Sequence, residues 1–254
     1  MTSGSQSFET EALTKNGIKT QREGRQLMHD WNKTHAAYPN VCVHELFEQQ
    51  AARDHDAVAV VYEELQLTYR ELNQRANQVA HYLRKRDVGP ESLVGVCLER
   101  SREMVIALLA VGKVGGAYIP LDPAYPLDRL TFMISAAEVK VLLTDEKCKN
   151  LFPSASDKAV CLDSDWLVIA KEDTSKLPAA ANPSNLAYFL MYTSGSTGRP
   201  NGAMIQHSGL VNYLCWAIKA YEVEGKKLAC PTVIFRSKDW PMLSAADPYL
   251  FRVA

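Results

Sequence analysis

Between Tyr192 and Gly202 the chain reads YTSGSTGRPNG, and the ten residues from Thr193 hold three glycines, four hydroxyl side chains and one arginine. Glycine allows backbone amides to turn toward a ligand. Hydroxyls at Thr193, Ser194, Ser196 and Thr197 add donors without bulk or charge, and a set of convergent neutral donors suits phosphate oxygens. Spacing removes several alternatives. The loop GxxxxGK[ST] of nucleoside triphosphatases fails, because Pro200 stands five residues after Gly195 and Ala203 five after Gly198. No GxGxxG dinucleotide fingerprint is present, and no serine occupies the GxSxG elbow of hydrolases. Composition alone leaves a Ser/Gly surface turn equally open.

Three further residues invite a chemical reading. Asp122 and Arg129 in LDPAYPLDR are close enough in sequence to form a pair, but prolines flank the aspartate, so a structural turn with a local ion pair is the better expectation and neither is assigned chemistry. His207, just beyond the loop, is a further candidate for ligand contact, with a helix cap or a packing role open beside it. The six histidines form no HExxH or other ligand cluster in sequence, and the six cysteines form no CxxC pair, so no metal is expected and free thiols are.

A loop of this kind needs rigid flanks. It follows the apolar run LAYFL with Met191, which reads as a strand after the polar stretch KEDTSKLPAAANPSN. Upstream, strands and helices alternate. AVAVVY reads as a strand. A helix follows, opened by the capping box Thr68 and Glu71, with Leu72, Ala76, Val79, Ala80 and Leu83 on one face. SLVGVCL is a buried strand, Ser101 caps a helix that ends at Gly115-Gly116, AYIPLDPAYP begins extended, LDRLTFMISAA is helical, and VKVLLTD and AVCLD are strands. Strands apolar on both faces and alternating with helices predict an α/β fold, a mainly parallel sheet layered with helices. Residues 1–40 read as a polar leader, 41–222 as the folded domain and 223–254 as a divergent tail. A hydrophobic content of 47% excludes a wholly disordered chain, and a formal net charge of −1 gives no footprint for nucleic acid or an acidic membrane. No window reaches the ~18 apolar residues of a membrane span, so a cytoplasmic protein is expected.

LAYFLMYTSGSTGRPNGAMIQHSGLVNYL resembles the phosphate-binding signature of adenylate-forming enzymes, [YF]TSGSTGxPKG followed by a histidine. VGKVGGAYIPLDPAYPLDRL is similar to the KAGxAYxPxDPxYPxxR block of amino-acid adenylation domains in nonribosomal peptide synthetases, and LTYRELNQRANQVAHYLR resembles their first block. LMHDWNKTHAAYPNVCVHELFEQQA is similar to the junction that precedes such domains. The likeness runs in family order from about Gln26 to Tyr221 and implies the N-terminal part of the adenylate-forming fold. It further implies ATP with Mg2+, an amino acid as substrate, and a carrier protein that receives the aminoacyl group. Thr193, Ser194, Gly195, Ser196, Thr197 and Gly198 would then hold the ATP phosphates, with Arg199 and Asn201 nearby. Asn201 departs from the family's lysine; it can hydrogen-bond but cannot neutralise a phosphate.

After Tyr221 the family's later blocks do not follow. A frameshift or premature stop near Gly225 to Leu228 is the expectation, together with little or no catalysis by the chain alone and an uncovered apolar edge that favours poor solubility or a partner. Two rival readings stand beside this one: an acyl-CoA ligase-like fragment, and a non-catalytic nucleotide-binding or interaction module.

Overall fold

In a computed structural model the chain divides into two compact units, Met1–Tyr38 and Pro39–Ala254. The structure describes Gln26, residues 34–193 and residues 201–220, and all that follows concerns these. The elements from Val43 to Ala220 lie in the second unit. They are α1 (Val43–Arg53), β1 (Val58–Tyr62), β2 (Leu65–Thr68), α2 (Tyr69–Arg84), β3 (Leu93–Val96), α3 (Arg102–Val114), β4 (Ala117–Pro120) and α4 (Leu127–Ala136). After these come β5 (Val141–Thr144), α5 (Glu146–Lys149), a 3-10 turn at Pro153–Lys158, β6 (Ala159–Cys161), α6 (Trp166–Ile169), β7 (Leu186–Thr193), β8 (Asn201–Gln206) and α7 (His207–Ala220).

Six strands make the main sheet, in the order β6-β5-β3-β4-β7-β8. The first five run parallel and β8 returns antiparallel beside β7. β1 and β2 form a separate antiparallel ribbon. The α/β fold with a mainly parallel sheet is therefore as the alternation predicts. The ribbon and the antiparallel return strand are additions to it. β2 is only four residues long, and β8 begins with Asn-Gly, a pair that reads as a turn until β7 pairs with it.

The central strands are short and apolar because both sheet faces are covered. Val94 and Val96 of β3, with Val141 and Leu143 of β5, join one core with α2 and α3. Leu142 of β5 and Ile119 of β4 point the other way, into a second core with Leu130, Met133 and Ile134 of α4. This alternation with period two puts one core on each face. Gly95 sits where a Cβ would lie 3.0 Å from Leu142 Cδ1 and 3.1 Å from Leu121 Cδ1, so a larger residue there would press on the side chains of the second core.

Helix ends follow local chemistry. Thr68 and Glu71 make the reciprocal bonds of a capping box at the start of α2. Ser101 Oγ accepts from Met104 N at 3.2 Å at the start of α3, and Gly115, at φ 88°, ends that helix in the left-handed region that favours glycine. α2 stops at Arg84, short of Gly89-Pro90, and the intervening turn uses a left-handed Asp87.

Candidate functional site

The hairpin β7–β8 is what holds the hydroxyl-rich loop. Its register pairs Leu186 with Gln206, Met191 with Ala203, Tyr192 with Gly202 and Thr193 with Asn201. Thr193 and Asn201 are thus opposite one another at the last rung, and the seven residues between them, Ser194 to Pro200, lie outside the described residues. β7 itself pairs parallel with β4 through Tyr118 and Phe189. The loop therefore leaves the carboxyl end of a strand in a parallel sheet, the end at which open α/β sheets bind their ligands.

The other end of the hairpin is anchored by polar contacts that no sequence motif singles out. Glu91 accepts from Leu186 N at 3.1 Å and from Asn185 Nδ2 at 2.8 Å, which fixes where β7 begins. Glu91 reaches this position from a left-handed backbone at φ 63°. Ser208 N donates to Pro183 O at 2.9 Å and His207 N to Asn185 O at 3.3 Å, tying the start of α7 to the same root. The partners of Glu91 lie 94 and 95 residues away along the chain, beyond the reach of any spacing rule.

His207 belongs to this root. It lies at the opposite end of β8 from Asn201, roughly 20 Å along an extended strand, and is fully buried. Its Nδ1 accepts from Val43 N at 3.3 Å, and its ring meets that of His44 edge to face with centroids 5.6 Å apart. Burial, reinforced by His44, lowers its pKa to about 4. The packing role left open by the sequence is the one the geometry gives it.

Cys42, His44 and His207 bring their potential ligand atoms within 4.8 Å of one another, all three buried. Sequence spacing alone predicts no such cluster. A ligating imidazole ordinarily donates its second ring N–H to an acceptor, whereas His207 accepts at Nδ1, which places the ring hydrogen on Nε2 in the neutral form. The arrangement fits two neutral histidines packed at a helix start better than a metal centre.

Asp122 forms the expected turn: its carboxylate accepts from Ala124 N at 2.9 Å and its carbonyl from Tyr125 N at 2.9 Å. The expected ion pair with Arg129 is replaced by stacking, the guanidinium lying 4.1 Å from the centroid of Tyr125. Among the described cysteines all five are free, as expected for thiols. Burial raises Cys42 and Cys161 to about 11 and Cys148 to about 12, so these three are poor nucleophiles.

A cleft of ≈ 440 Å3 on α1 and α2 is lined by Glu45, Glu48, Gln49, Asn73 and Lys176. Its charges are engaged with one another. Lys113 Nζ lies 2.5 Å from Glu48 Oε1 and 2.8 Å from Asn73 Oδ1, and Lys176 Nζ lies 2.7 Å from Glu48 Oε2. Burial opposes the charge on Glu48, yet hydrogen bonds from the two lysines hold its carboxyl below the ordinary range. This network joins α1, α2 and α3 and is structural.

The mainly parallel sheet covered by helices sets the class of fold, and comparison with known proteins gives the family: residues 47–236 match the AMP-binding enzyme family, to which the chain belongs. Its relatives are nonribosomal peptide synthetases. A linear gramicidin synthase of Brevibacillus parabrevis is 46% identical over 206 residues, 81% of this chain and 3% of that protein. Bacitracin synthase 1 of Bacillus licheniformis is 42% identical over 213 residues, 84% of this chain and 4% of that protein. Among solved structures, the AMPPNP-bound form of the nonribosomal peptide synthetase FmoA3 aligns with a TM-score of 0.73 at 31% identity, covering 81% of this chain and 21% of that one. The N-terminal subdomain of Klebsiella oxytoca NpsA, in complex with 3-hydroxyanthranilyl-AMSN, aligns with a TM-score of 0.60 at 26% identity, covering 70% of this chain and 44% of that one. The chain thus spans a small part of its relatives' length and corresponds to the N-terminal part of their adenylation fold. The family match extends beyond Tyr221, where the motif-based likeness ends.

Proposed function

We propose that the chain is the phosphate-holding part of an amino-acid adenylation domain and binds ATP through the loop from Thr193 to Gly198. The observation that carries this reading is the hairpin register, which sets Thr193 and Asn201 side by side at the carboxyl end of β7. A loop rooted there starts from the end of the sheet at which open α/β folds bind their ligands, and FmoA3 bound to AMPPNP supports a nucleoside triphosphate as the ligand.

In the whole domain, an amino-acid carboxylate attacks the α-phosphorus of ATP, the bond to the β-phosphate oxygen breaks, and pyrophosphate leaves. The carrier-protein thiol then attacks the acyl carbon of the aminoacyl adenylate, the thiol proton is lost, and AMP leaves as the thioester forms. Negative charge moves onto the leaving pyrophosphate, and hydrogen-bond donors at Thr193, Ser194, Gly195, Ser196, Thr197 and Gly198 stabilise it. Arg199 adds a positive charge, while Asn201 contributes a hydrogen bond at the loop root. ATP would enter as its Mg2+ complex, the metal adding positive charge at the phosphates. A cytoplasmic location accords with this reading. None of the described helices is long and apolar enough to cross a membrane. Relatives that are peptide synthetases favour an amino acid over an acyl-CoA ligase substrate.

Titration of the chain with ATP tests the reading. Thr197→Ala removes one donor to a charged oxygen, worth about 1.5 kcal/mol or more, so ATP affinity should fall at least tenfold while adenosine binding is unchanged. ATP binding that ignores the substitution would favour an interaction module instead.

A further inference from the structure

Two of the described cysteines, Cys97 and Cys148, share the second core. Val96 of β3 pairs with Leu143 of β5, and Cys97 N donates to Leu143 O at 2.9 Å, so Cys97 carries β3 on beside Thr144. With a period of two, its side chain turns away from the face of Val96 to that of Ile119 and Leu142. Cys148 enters the same core from α5. Asp145 caps that helix and accepts from Cys148 N at 2.6 Å, which sets the first turn directly past the end of β5. There the two thiols meet as hydrogen-bond partners, and the Cys148 thiol also reaches the Asp145 carboxyl. The remaining buried cysteines have other neighbours. Cys161 ends β6 on the far side of Thr144, its thiol against Ser164 and Glu146, and Cys42 lies with the two histidines of the hairpin root.

In the closed core neither thiol reacts: Cys97 is fully buried and Cys148 2% exposed, and burial opposes ionisation of both. Access comes through α5. It is a helix of four residues, a single turn that opens more readily than the sheet beneath it, and a thiol lifted into water regains an ordinary pKa of about 8.5. We propose that Cys97 and Cys148 form a redox-sensitive pair that closes to an intrachain disulfide under hydrogen peroxide, stapling the end of β3 to α5 at the carboxyl end of the sheet. The thiolate of one cysteine attacks a peroxide oxygen, the O–O bond breaks, and a sulfenic acid and hydroxide form. The second sulfur attacks the sulfenic sulfur, the S–S bond forms, and the hydroxyl leaves as water with the second thiol's proton. Two thiols have then lost two electrons and two protons, and one hydrogen peroxide has become two waters. The assignment rests on the second core and stands whether or not the loop binds ATP.

The test treats the full chain, kept dilute, with hydrogen peroxide, blocks the remaining thiols by alkylation and digests without reductant. The peptides that carry Cys97 and Cys148 should be recovered joined, two hydrogens lighter than the separate pair, and dithiothreitol should part them. The oxidised chain should melt about 5 °C or more above the reduced one, because the link closes a loop of about 50 residues in the unfolded state. Cys148→Ala should remove both the link and the shift, and Cys161→Ala should change neither. If Cys148→Ala does not fold, the peptide map and melting shift of the unaltered chain still decide. Recovery of Cys97 and Cys148 unlinked, whether alkylated or oxidised to sulfinic acid, would overturn the proposal. So would Cys148 joined to Cys161 or to a second chain, or a link that leaves the melting temperature unchanged or lower.

Discussion

At the scale of single residues, the hairpin separates two candidates: Thr193 and Asn201 stand at its loop end, and the buried His207 at its root. His207 resembles a ligand contact because it follows the loop in sequence, yet β8 carries it to the far end of the hairpin. Sequence proximity is a poor guide when a strand intervenes, since each residue adds about 3.3 Å of separation. Its environment has a measurable consequence. Unfolded histidine binds a proton near pH 6.5, whereas folded His207 does so only near about 4. Between those values the unfolded state holds more protons, so stability rises with pH and is lost as pH falls below 6.5. Urea melts should show a loss of about 2 kcal/mol from pH 7 to pH 5 from this group, to which His44, also lowered by burial, adds in the same direction. His207→Gln should flatten that slope whatever it does to stability at pH 7. An unchanged slope would mean that the ring is accessible to protons in the folded state.

At the scale of elements, local chemistry was readable and long-range contacts were not. The capping box of α2, the Ser101 cap of α3 and the Gly115 stop are written in adjacent residues, and each is found where the sequence puts it. The Cys42, His44 and His207 cluster, the Glu91 anchor of β7 and the Glu48 network each join residues far apart in sequence, so no spacing rule could show them. β8 was hidden for a different reason: Asn-Gly reads as a turn, and only pairing with β7 makes it a strand. The Glu48 network yields a contrast that tests its structural role. Lys113 is buried beside Glu48, with its side chain 2% exposed, while Lys176 is 63% exposed. Glu48→Gln should cost about 3 kcal/mol because it leaves Lys113 buried without a counter-charge. Lys176→Ala should cost less than about 1 kcal/mol, since an exposed pair is screened by water. Equal effects in chemical denaturation would contradict the difference in burial as the cause.

For the whole molecule, the parallel sheet brings strand ends to one edge, and the functional reading depends on what the loop at that edge holds. The fold class and the position of the loop on its strand were legible from alternating apolar segments and from the motif itself. The identity of the ligand was legible only through resemblance, because Ser, Thr and Gly at a turn are compatible with no ligand at all. Hydrogen exchange of backbone amides across Leu190 to Gly202 addresses that ambiguity most directly. With ATP or inorganic triphosphate, the amides from Thr193 to Gly198 should exchange at least tenfold more slowly, and adenosine should leave them unchanged. Exchange that is indifferent to both phosphate ligands, or protection by adenosine alone, would contradict a polyphosphate-holding loop.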